Sequence, residues 1–289
     1  MTKNISFLGL GAMGYPMAGH LANNGFNVTV YNRTTAVAEK WLSEHKGKSA
    51  TTPALAVENA DIVLSCVGND NDVRSLYSGT NGIFSGIKPN TLLIDHTTTS
   101  ADLACELSKI AKKHHACFLD APVSGGQVGA EKGCLTIMVG GKENTFRRAE
   151  DVMQSYAQSI TLIGDVGDGQ RCKMVNQLCI TGILQGLSEA LTFAKAAGID
   201  AKTIVNTLQH GAAGSWQMIN RSETMMADEF DFGFAIDWMI KDLNICFDEA
   251  KRLNVNLPLA KQVSTRYQEL QERGYNRADT SALIKQFDT

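Results

Sequence analysis

The first half of the chain alternates short β-rich runs with stretches of helical periodicity. Several runs are apolar almost throughout, which is typical of parallel strands buried on both faces of a sheet. The predicted strands cover residues 5–8, 27–31, 61–67, 91–95, 116–121, 135–139 and 159–163, and the helical stretches between them include 12–24, 35–45 and 101–114. This repeated strand–helix–strand order predicts a doubly wound α/β sheet.

The pattern changes at a glycine-rich segment over 164–169, after which no run has the character of a strand. A very long helix is predicted over 170–197, because Ile180, Leu184, Leu187 and Leu191 recur at three- and four-residue steps. Further helices are predicted at about 201–210, 215–227, 234–254, 258–273 and 278–287. The sequence therefore predicts an α/β domain over 1–163 and an all-helical domain over 164–289.

Composition and charge narrow the class of protein. The 289 residues suit about two domains, and 44% hydrophobic with 20% charged residues excludes a disordered or fibrous chain. A net charge of -3 leaves no basic footprint for nucleic acid, and no apolar run approaches the roughly 20 residues of a membrane span. Because the chain enters a predicted strand at once, we expect no signal peptide and a cytoplasmic location.

The cysteines and histidines give no sign of a metal site. The seven cysteines include no Cys-x-x-Cys pair, so neither a disulfide framework nor a zinc site is expected. The six histidines show no metal-ligand spacing on one predicted helix.

A glycine motif follows the first predicted strand and opens the first predicted helix. It consists of Gly9, Leu10, Gly11, Ala12, Met13 and Gly14. The pattern alone is weak, but a strand before it and a second strand within about 30 residues supply the context of a dinucleotide site. The glycines allow a tight turn, approach of the backbone to a pyrophosphate and close helix–strand packing. The motif therefore predicts a Rossmann domain, with a purely structural turn as the alternative.

The residues after the second predicted strand bear on which dinucleotide binds. A site for NAD usually has Asp or Glu here to bind the ribose 2′-hydroxyl, whereas this chain has Asn32. Arg33 can bind a 2′-phosphate through a charge-assisted fork, and Thr34 can add a hydroxyl. We therefore expect NADP rather than NAD, the alternative being that Arg33 is only a solvated loop residue.

Three further segments have the character of a site. Ser124, Gly125 and Gly126 follow a predicted strand, where exposed N–H groups could hold a carboxylate, although a plain turn accounts for them equally well. Lys173 begins an apolar stripe on the long helix, and its spacing alone favours a side chain that snorkels at the helix end. Lys241 lies in the middle of a predicted helix, where a lysine is more often on the surface.

Together these segments change the interpretation. The glycine motif at 9–14, the segments 120–126 and 167–176, and the run 241–243 occur in this order along the chain. With them the sequence resembles the β-hydroxyacid dehydrogenase family along its whole length. That family includes 3-hydroxyisobutyrate dehydrogenase, tartronate semialdehyde reductase and glyoxylate/succinic semialdehyde reductase.

The resemblance implies roles for individual residues. Lys173 would be the catalytic lysine, Ser124, Gly125 and Asn176 would bind substrate, and Lys241 would close over substrate and nicotinamide. Gly126 is expected beside the substrate, and Val67 and Thr98 are expected at the cofactor. Gln177 stands where many members have a second Asn, so whether Asn176 or Gln177 orients the substrate stays open. His96 stands where a smaller or apolar residue is expected.

We therefore expect an NADP-dependent oxidoreductase that moves a hydride between NADPH and a small β-hydroxyacid or semialdehyde acid. In reduction, Lys173 would protonate the carbonyl oxygen, and in oxidation it would accept the hydroxyl proton. Imine reduction on the same scaffold and a non-catalytic NADP-binding protein are the alternatives. The long apolar helix and the resemblance both favour a homodimer or homotetramer.

Overall fold

Nine strands form one sheet in the part of the chain that the structure describes. The structure is a computed structural model that describes residues 3–288. Residues 1 and 2, which belong to the N-terminal stretch where no signal peptide is expected, lie outside the described residues. The strands are β1 (Asn4–Leu8), β2 (Asn27–Tyr31), β3 (Lys48–Ser49), β4 (Ile62–Ser65), β5 (Leu92–Asp95), β6 (Cys117–Asp120), β7 (Val123–Ser124), β8 (Leu135–Gly140) and β9 (Ala157–Gly164).

The sheet has the strand order β3-β2-β1-β4-β5-β6-β8-β7, and β9 pairs with β8. The strands from β3 to β6 are parallel, β8 runs antiparallel to β6 and β7, and β9 is parallel to β8. The first six strands have the order of a Rossmann domain, in which ligands bind where the order reverses, at the carboxyl ends of β1 and β4.

Alternate residues of the central strands pack into two separate hydrophobic cores. On β5, Leu92 and Ile94 belong to one core, whereas Leu93 belongs to the other. The helices that accompany the sheet are α1 (Gly14–Asn23), α2 (Thr35–Glu44), α3 (Pro53–Val57), α4 (Asp70–Tyr77), α5 (Ile83–Gly86), α6 (Ala101–Lys113), α7 (Gly126–Glu131) and α8 (Glu143–Met153). Apolar side chains on both faces explain the nearly continuous hydrophobic runs, and the predicted doubly wound sheet is confirmed.

The rest of the described chain is helical. It contains α9 (Asp168–Ala196), α10 (Ala201–Leu208), α11 (Trp216–Ala227), α12 (Ile236–Arg252), α13 (Pro258–Leu270), a π-helical segment (Gln271–Tyr275) and a 3₁₀-helix (Thr280–Phe287). Leu184, Leu187 and Leu191 of the predicted stripe lie in a core of this unit, and Ile180 packs against it. Among residues 3–288, no helix is both long and apolar enough to cross a membrane.

The chain divides into two compact units, Met1–Lys173 and Met174–Thr289. The helix α9 contributes to both, since its first residues belong to the N-terminal unit. The boundary expected after residue 163 stays a prediction.

The differences from the sequence-based elements are local. The strands β3 and β7 have only two residues each, too few for a visible alternation. The predicted helix over 278–287 is a 3₁₀-helix that begins at Thr280, where the buried Asp279 accepts a hydrogen bond from the Ser281 N–H.

Candidate active site

A tight turn after β1 contains the glycine motif. Gly9 has a φ of +98°, and its N–H donates to the Tyr31 carbonyl over 2.9 Å. A Cβ on Gly9 would lie 2.2 Å from the Cys66 carbonyl oxygen, and one on Gly14 would lie 1.9 Å from the Gly9 oxygen. A Cβ on Gly11, in contrast, would meet nothing within 4 Å. The turn thus packs tightly on one side and is open at Gly11, an arrangement that fits a pyrophosphate beside the backbone.

The Asn32 side chain ties the end of β2 to this turn. Its Oδ1 accepts a 2.9 Å hydrogen bond from the Leu10 N–H, and its Nδ2 donates to the Thr34 carbonyl over 3.0 Å. Arg33 is 89% exposed, with its guanidinium 3.7 Å from the Asp72 carboxylate. At this exposure the ion pair contributes little, so the guanidinium can reorient toward an anion at low cost.

A buried carboxyl group at the end of β5 organises the loops after β4 and β5. Asp95 Oδ1 accepts hydrogen bonds from the hydroxyls of Ser65 and Thr97 over 2.8 and 2.7 Å. The Thr97 hydroxyl oxygen accepts in turn from the Val67 N–H over 3.0 Å. Burial raises the pKa of Asp95 to about 6, although these hydrogen bonds act in the opposite direction. The network fixes Val67 and the backbone next to Thr98.

His96 stands at a position where a smaller or apolar residue is expected. Its side chain is buried, with a hydrogen-bond partner at each ring nitrogen. Nδ1 lies 2.7 Å from the Ala121 carbonyl oxygen and must donate to it, so Nε2 accepts from the Tyr156 hydroxyl over 2.9 Å. Burial lowers the pKa of His96 to about 4. The imidazole is therefore a neutral structural group near neutral pH.

Asp120, at the end of β6, caps the first turn of α9. Its Oδ1 accepts from the Gly167 N–H over 2.7 Å, and its Oδ2 accepts from the Gln170 N–H over 2.9 Å. Burial raises the pKa of Asp120, whereas the two backbone hydrogen bonds lower it. A carboxylate at this position satisfies orphan N–H groups and complements the helix dipole.

The serine–glycine segment turns sharply from β7 into α7. Ser124 ends β7 and is partly buried, and Gly125 and Gly126 are exposed with φ values of +130° and +61°. Residues other than glycine rarely adopt such φ angles. A Cβ on Gly126 would meet nothing within 4 Å, so there is open space beside this residue. Exposed backbone next to a hydroxyl is suited to a carboxylate ligand.

The expected residues on α9 differ in their surroundings. Lys173 is only 7% exposed, and Gln177 is 2% exposed. Gln177 Oε1 accepts a 2.8 Å hydrogen bond from the Asn176 amide, and Gln177 Nε2 donates to Asp242 Oδ2 over 2.7 Å. Both functional atoms of Gln177 are thus bonded to protein groups.

Lys241 and Asp242 lie on α12 in the C-terminal unit. Lys241 Nζ is 2.9 Å from Asp242 Oδ1, and the two groups form an ion pair. The structure thus brings Asn176, Gln177 and Lys241 together through Asp242. Lys173, Ser124, Thr98 and the nucleotide turn belong to the N-terminal unit.

Two family models cover almost the whole chain. The NAD-binding domain of 6-phosphogluconate dehydrogenase matches residues 4–164, and the domain described as NAD-binding of NADP-dependent 3-hydroxyisobutyrate dehydrogenase matches 167–287. The chain belongs to the β-hydroxyacid dehydrogenase family. It is accordingly an NAD(P)-dependent oxidoreductase of the hydroxyacid dehydrogenase type.

Individual relatives agree with this assignment. An uncharacterized oxidoreductase of Shewanella frigidimarina is 50% identical over 98% of both chains. The 2-hydroxy-3-oxopropionate reductase of Escherichia coli is 34% identical over 97% of this chain and 96% of the relative. The structure of 3-hydroxyisobutyrate dehydrogenase from Mycobacterium tuberculosis, with L-serine, has a TM-score of 0.89, 29% identity and complete coverage of both chains.

Four residues that neighbour the expected site residues of one unit or the other had no assigned role from the sequence. Asp95, Asp120, Gln170 and Asp242 each bond to segments distant in sequence, so no local spacing marks them. The sequence does offer one indication for Asp120. The helix α9 is preceded by Gly167, which has no side chain to accept from the first N–H groups, so a polar side chain from elsewhere in the chain can serve as the cap.

Proposed function

We propose that this chain is an NADP-dependent dehydrogenase of small β-hydroxyacids and semialdehyde acids in which Lys173 is the general acid and base. The observation that carries the proposal is the burial of Lys173, a residue only 7% exposed, just after the capped first turn of α9. A surface lysine that merely snorkels would keep its head in water. Burial of a lysine costs desolvation free energy, and buried ionisable groups are concentrated at functional sites.

The dinucleotide supplies the hydride, and the protein must bind the acid and move one proton. In reduction Lys173 would donate a proton from Nζ to the carbonyl oxygen, and in oxidation it would take the hydroxyl proton. Ser124, Gly125 and Gly126 would hold the substrate carboxylate with hydroxyl and backbone donors. These donors suit a carboxylate because hydrogen bonds to a charged group are the stronger ones.

Asn176 rather than Gln177 would orient the substrate. This assignment follows because the buried Gln177 amide is bonded at one end to Asn176 and at the other to Asp242. Gln177 would then fix the rotamer of Asn176, and Lys241 would be held by Asp242 at 2.9 Å.

NADP preference would rest on Arg33 and Thr34, both exposed at the end of β2. Asn32 introduces no carboxylate to repel a 2′-phosphate, and its amide holds the loop at Leu10 and Thr34. Val67 and Thr98 would contact the cofactor from loops tied to Asp95.

The experiment is a screen of NADPH oxidation with glyoxylate, succinic semialdehyde, tartronate semialdehyde and methylmalonate semialdehyde, followed by steady-state kinetics on the best substrate. Lys173→Ala should lower kcat by about 10²–10⁴-fold, the usual range of acid–base assistance, while NADPH binding by fluorescence is retained. Lys173→Arg should not restore turnover, because a guanidinium has another shape and stays charged.

Lys195→Ala is the matched control, because Lys195 is an exposed lysine on the same helix. Its kcat should equal that of wild type. Retention of more than about a tenth of kcat in Lys173→Ala would exclude Lys173 as the proton donor.

A further inference from the structure

Gln170 joins two parts of the N-terminal unit that the proposed mechanism uses separately. Its side chain is 1% exposed. Oε1 accepts a 3.0 Å hydrogen bond from the Thr99 N–H, and Nε2 donates a 2.8 Å hydrogen bond to the Thr97 carbonyl. The amide therefore clamps the backbone on both sides of Thr98, in the loop after β5.

The backbone of Gln170 is fixed as firmly as its side chain. Its N–H donates to Asp120 Oδ2, and the other carboxylate oxygen holds the Gly167 N–H. The residues around this cap are tightly packed. A Cβ on Gly140 would lie 2.4 Å from Asp120 Oδ1, and a Cβ on Gly169 would lie 2.6 Å from the Met138 carbonyl oxygen. The first turn of α9 is thus hydrogen-bonded to the end of β6 and packed closely against β8.

Lys173 follows Gln170 by three residues on the same helix, a rise of about 4.5 Å along the axis. Any shift of the first turn of α9 relative to the 97–99 loop would therefore move the Lys173 backbone relative to Thr98. Reacting groups lose rate steeply with such shifts, by about 10²-fold for a displacement of 1 Å.

We propose that Gln170, anchored by Asp120, is a positioning residue that holds the Thr98 loop and the Lys173 turn in one geometry for hydride and proton transfer. The inference rests on the proposed function, because it assumes that Lys173 moves the proton and that Thr98 faces the cofactor. Gln170 touches neither reactant in this role and acts through the two segments that it joins.

The test is Gln170→Met, which keeps the length of the side chain and removes both hydrogen bonds to the loop. Enzyme loaded with NADPH is mixed with saturating substrate, and the single-turnover rate constant is followed by NADPH absorbance. The rate constant should fall by about 10- to 100-fold while the Kd for NADPH changes by less than about threefold. A purely structural role would lower the amplitude, through the folded fraction, and leave the rate constant unchanged.

Thr91→Val is the matched control. Thr91 is 1% exposed, precedes β5 at the opposite end from Thr97, and donates from its hydroxyl to the Ala60 carbonyl over 3.4 Å. Its loss should lower the midpoint of thermal unfolding without changing the rate constant. A rate constant in Gln170→Met within about twofold of wild type would overturn the proposal.

Gln170→Glu decides the matter if the methionine variant does not fold. A protonated Glu can accept from Thr99 and donate to Thr97, whereas the ionised form cannot donate. The charged groups on the elements around residue 170 are Asp95, Asp120, Asp168, Arg171 and Lys173. Because these groups are present in both proteins, the ratio of the variant's rate constant to that of wild type cancels the effect of their titration. The ratio should fall as pH rises from about 6 to about 9, since burial beside a carboxyl keeps Glu protonated at the lower pH. A constant ratio would contradict the clamp.

Lys173→Ala in the same assay separates the two proposals. If it retains the wild-type rate constant, the proposed function fails. If it is inactive while the Gln170 variants equal wild type, only the coupling through Gln170 fails.

Discussion

Gln177 Nε2 donates a 2.7 Å hydrogen bond to Asp242 Oδ2, and both residues are 2% exposed. The contact joins α9 to α12 within the C-terminal unit and continues to Asn176 at one end and Lys241 at the other. Buried polar groups of this kind stabilise a structure only while every partner is present, because an unpaired member keeps its desolvation cost.

Gln177→Met should therefore lower the free energy of unfolding by about 1.5–3 kcal/mol, the range for a hydrogen bond to a charged group. Urea denaturation of the full chain measures this. The matched control is Gln271→Met, since Gln271 donates to Asp237 over 2.6 Å from an exposed position. The control should cost less than about 1 kcal/mol, because water replaces the lost partner. Equal losses in both variants would argue against a stabilising role for the buried pair.

The exposed guanidinium after β2 leads to a prediction about the cofactor. Arg33→Ala should weaken NADPH binding by about 10- to 150-fold, corresponding to about 1.5–3 kcal/mol for a charged hydrogen bond, and barely affect NADH. Fluorescence titration with both dinucleotides measures the difference. Arg74→Ala is the control, since Arg74 is a surface arginine paired with Glu106 over 3.0 Å. Parallel losses for NADPH and NADH would show that Arg33 does not recognise the 2′-phosphate.

The sequence predicts the fold well because the fold follows from local patterns. Residues 27–31 alternate apolar and polar side chains, and the observed β2 has these bounds. The predicted helix over 215–227 is likewise the observed α11, with Ser215 as its cap. The two-residue strand β3 is not predicted, because it is defined by its pairing with β2 and not by a pattern in its own sequence.

The candidate site is predictable only where chemistry and local geometry coincide. The glycine turn is readable because the positive φ of Gly9 and the close contacts at Gly9 and Gly14 require glycine at these two positions. The clamp of Gln170 on the 97–99 loop spans more than 70 positions of sequence, and nothing in the spacing of these residues indicates it. The choice between Asn176 and Gln177 likewise depends on Asp242, a residue of another helix.

Exposed apolar side chains on α9 lead to a prediction about assembly. Ile183 is 39% exposed and Phe193 is 74% exposed, and a monomer rarely leaves a large apolar surface uncovered. Light scattering at micromolar concentration should give the mass of a dimer or a tetramer, and Ile183→Glu should shift the mass toward the monomer. Leu55→Glu, at a 54% exposed position of α3, should leave the mass unchanged. A monomeric mass for the wild type would refute the prediction.

The adjacent Asp95 and His96 oppose each other in the dependence of stability on pH. The pKa of Asp95 is raised from 3.8 to about 6, so the native state binds more protons than the unfolded state between these values, and this residue's contribution falls as pH rises. The pKa of His96 is lowered from 6.5 to about 4, so the native state binds fewer protons there, and its contribution rises with pH. The two nearly cancel in the wild type.

Replacing His96 should reveal the effect of the Asp95 carboxyl group on the pH dependence of stability. His96→Gln keeps a polar side chain for the Ala121 carbonyl and the Tyr156 hydroxyl but cannot titrate. Relative to wild type, the variant should gain stability as pH falls from about 6.5 to about 4, by about 3 kcal/mol at one pKa unit per 1.36 kcal/mol. Urea denaturation of both proteins across this range measures the difference, and Tyr156→Phe, which removes a partner but no titration in this range, is the control. A stability difference between His96→Gln and wild type that stays constant with pH would mean that His96 titrates alike in the folded and unfolded chains.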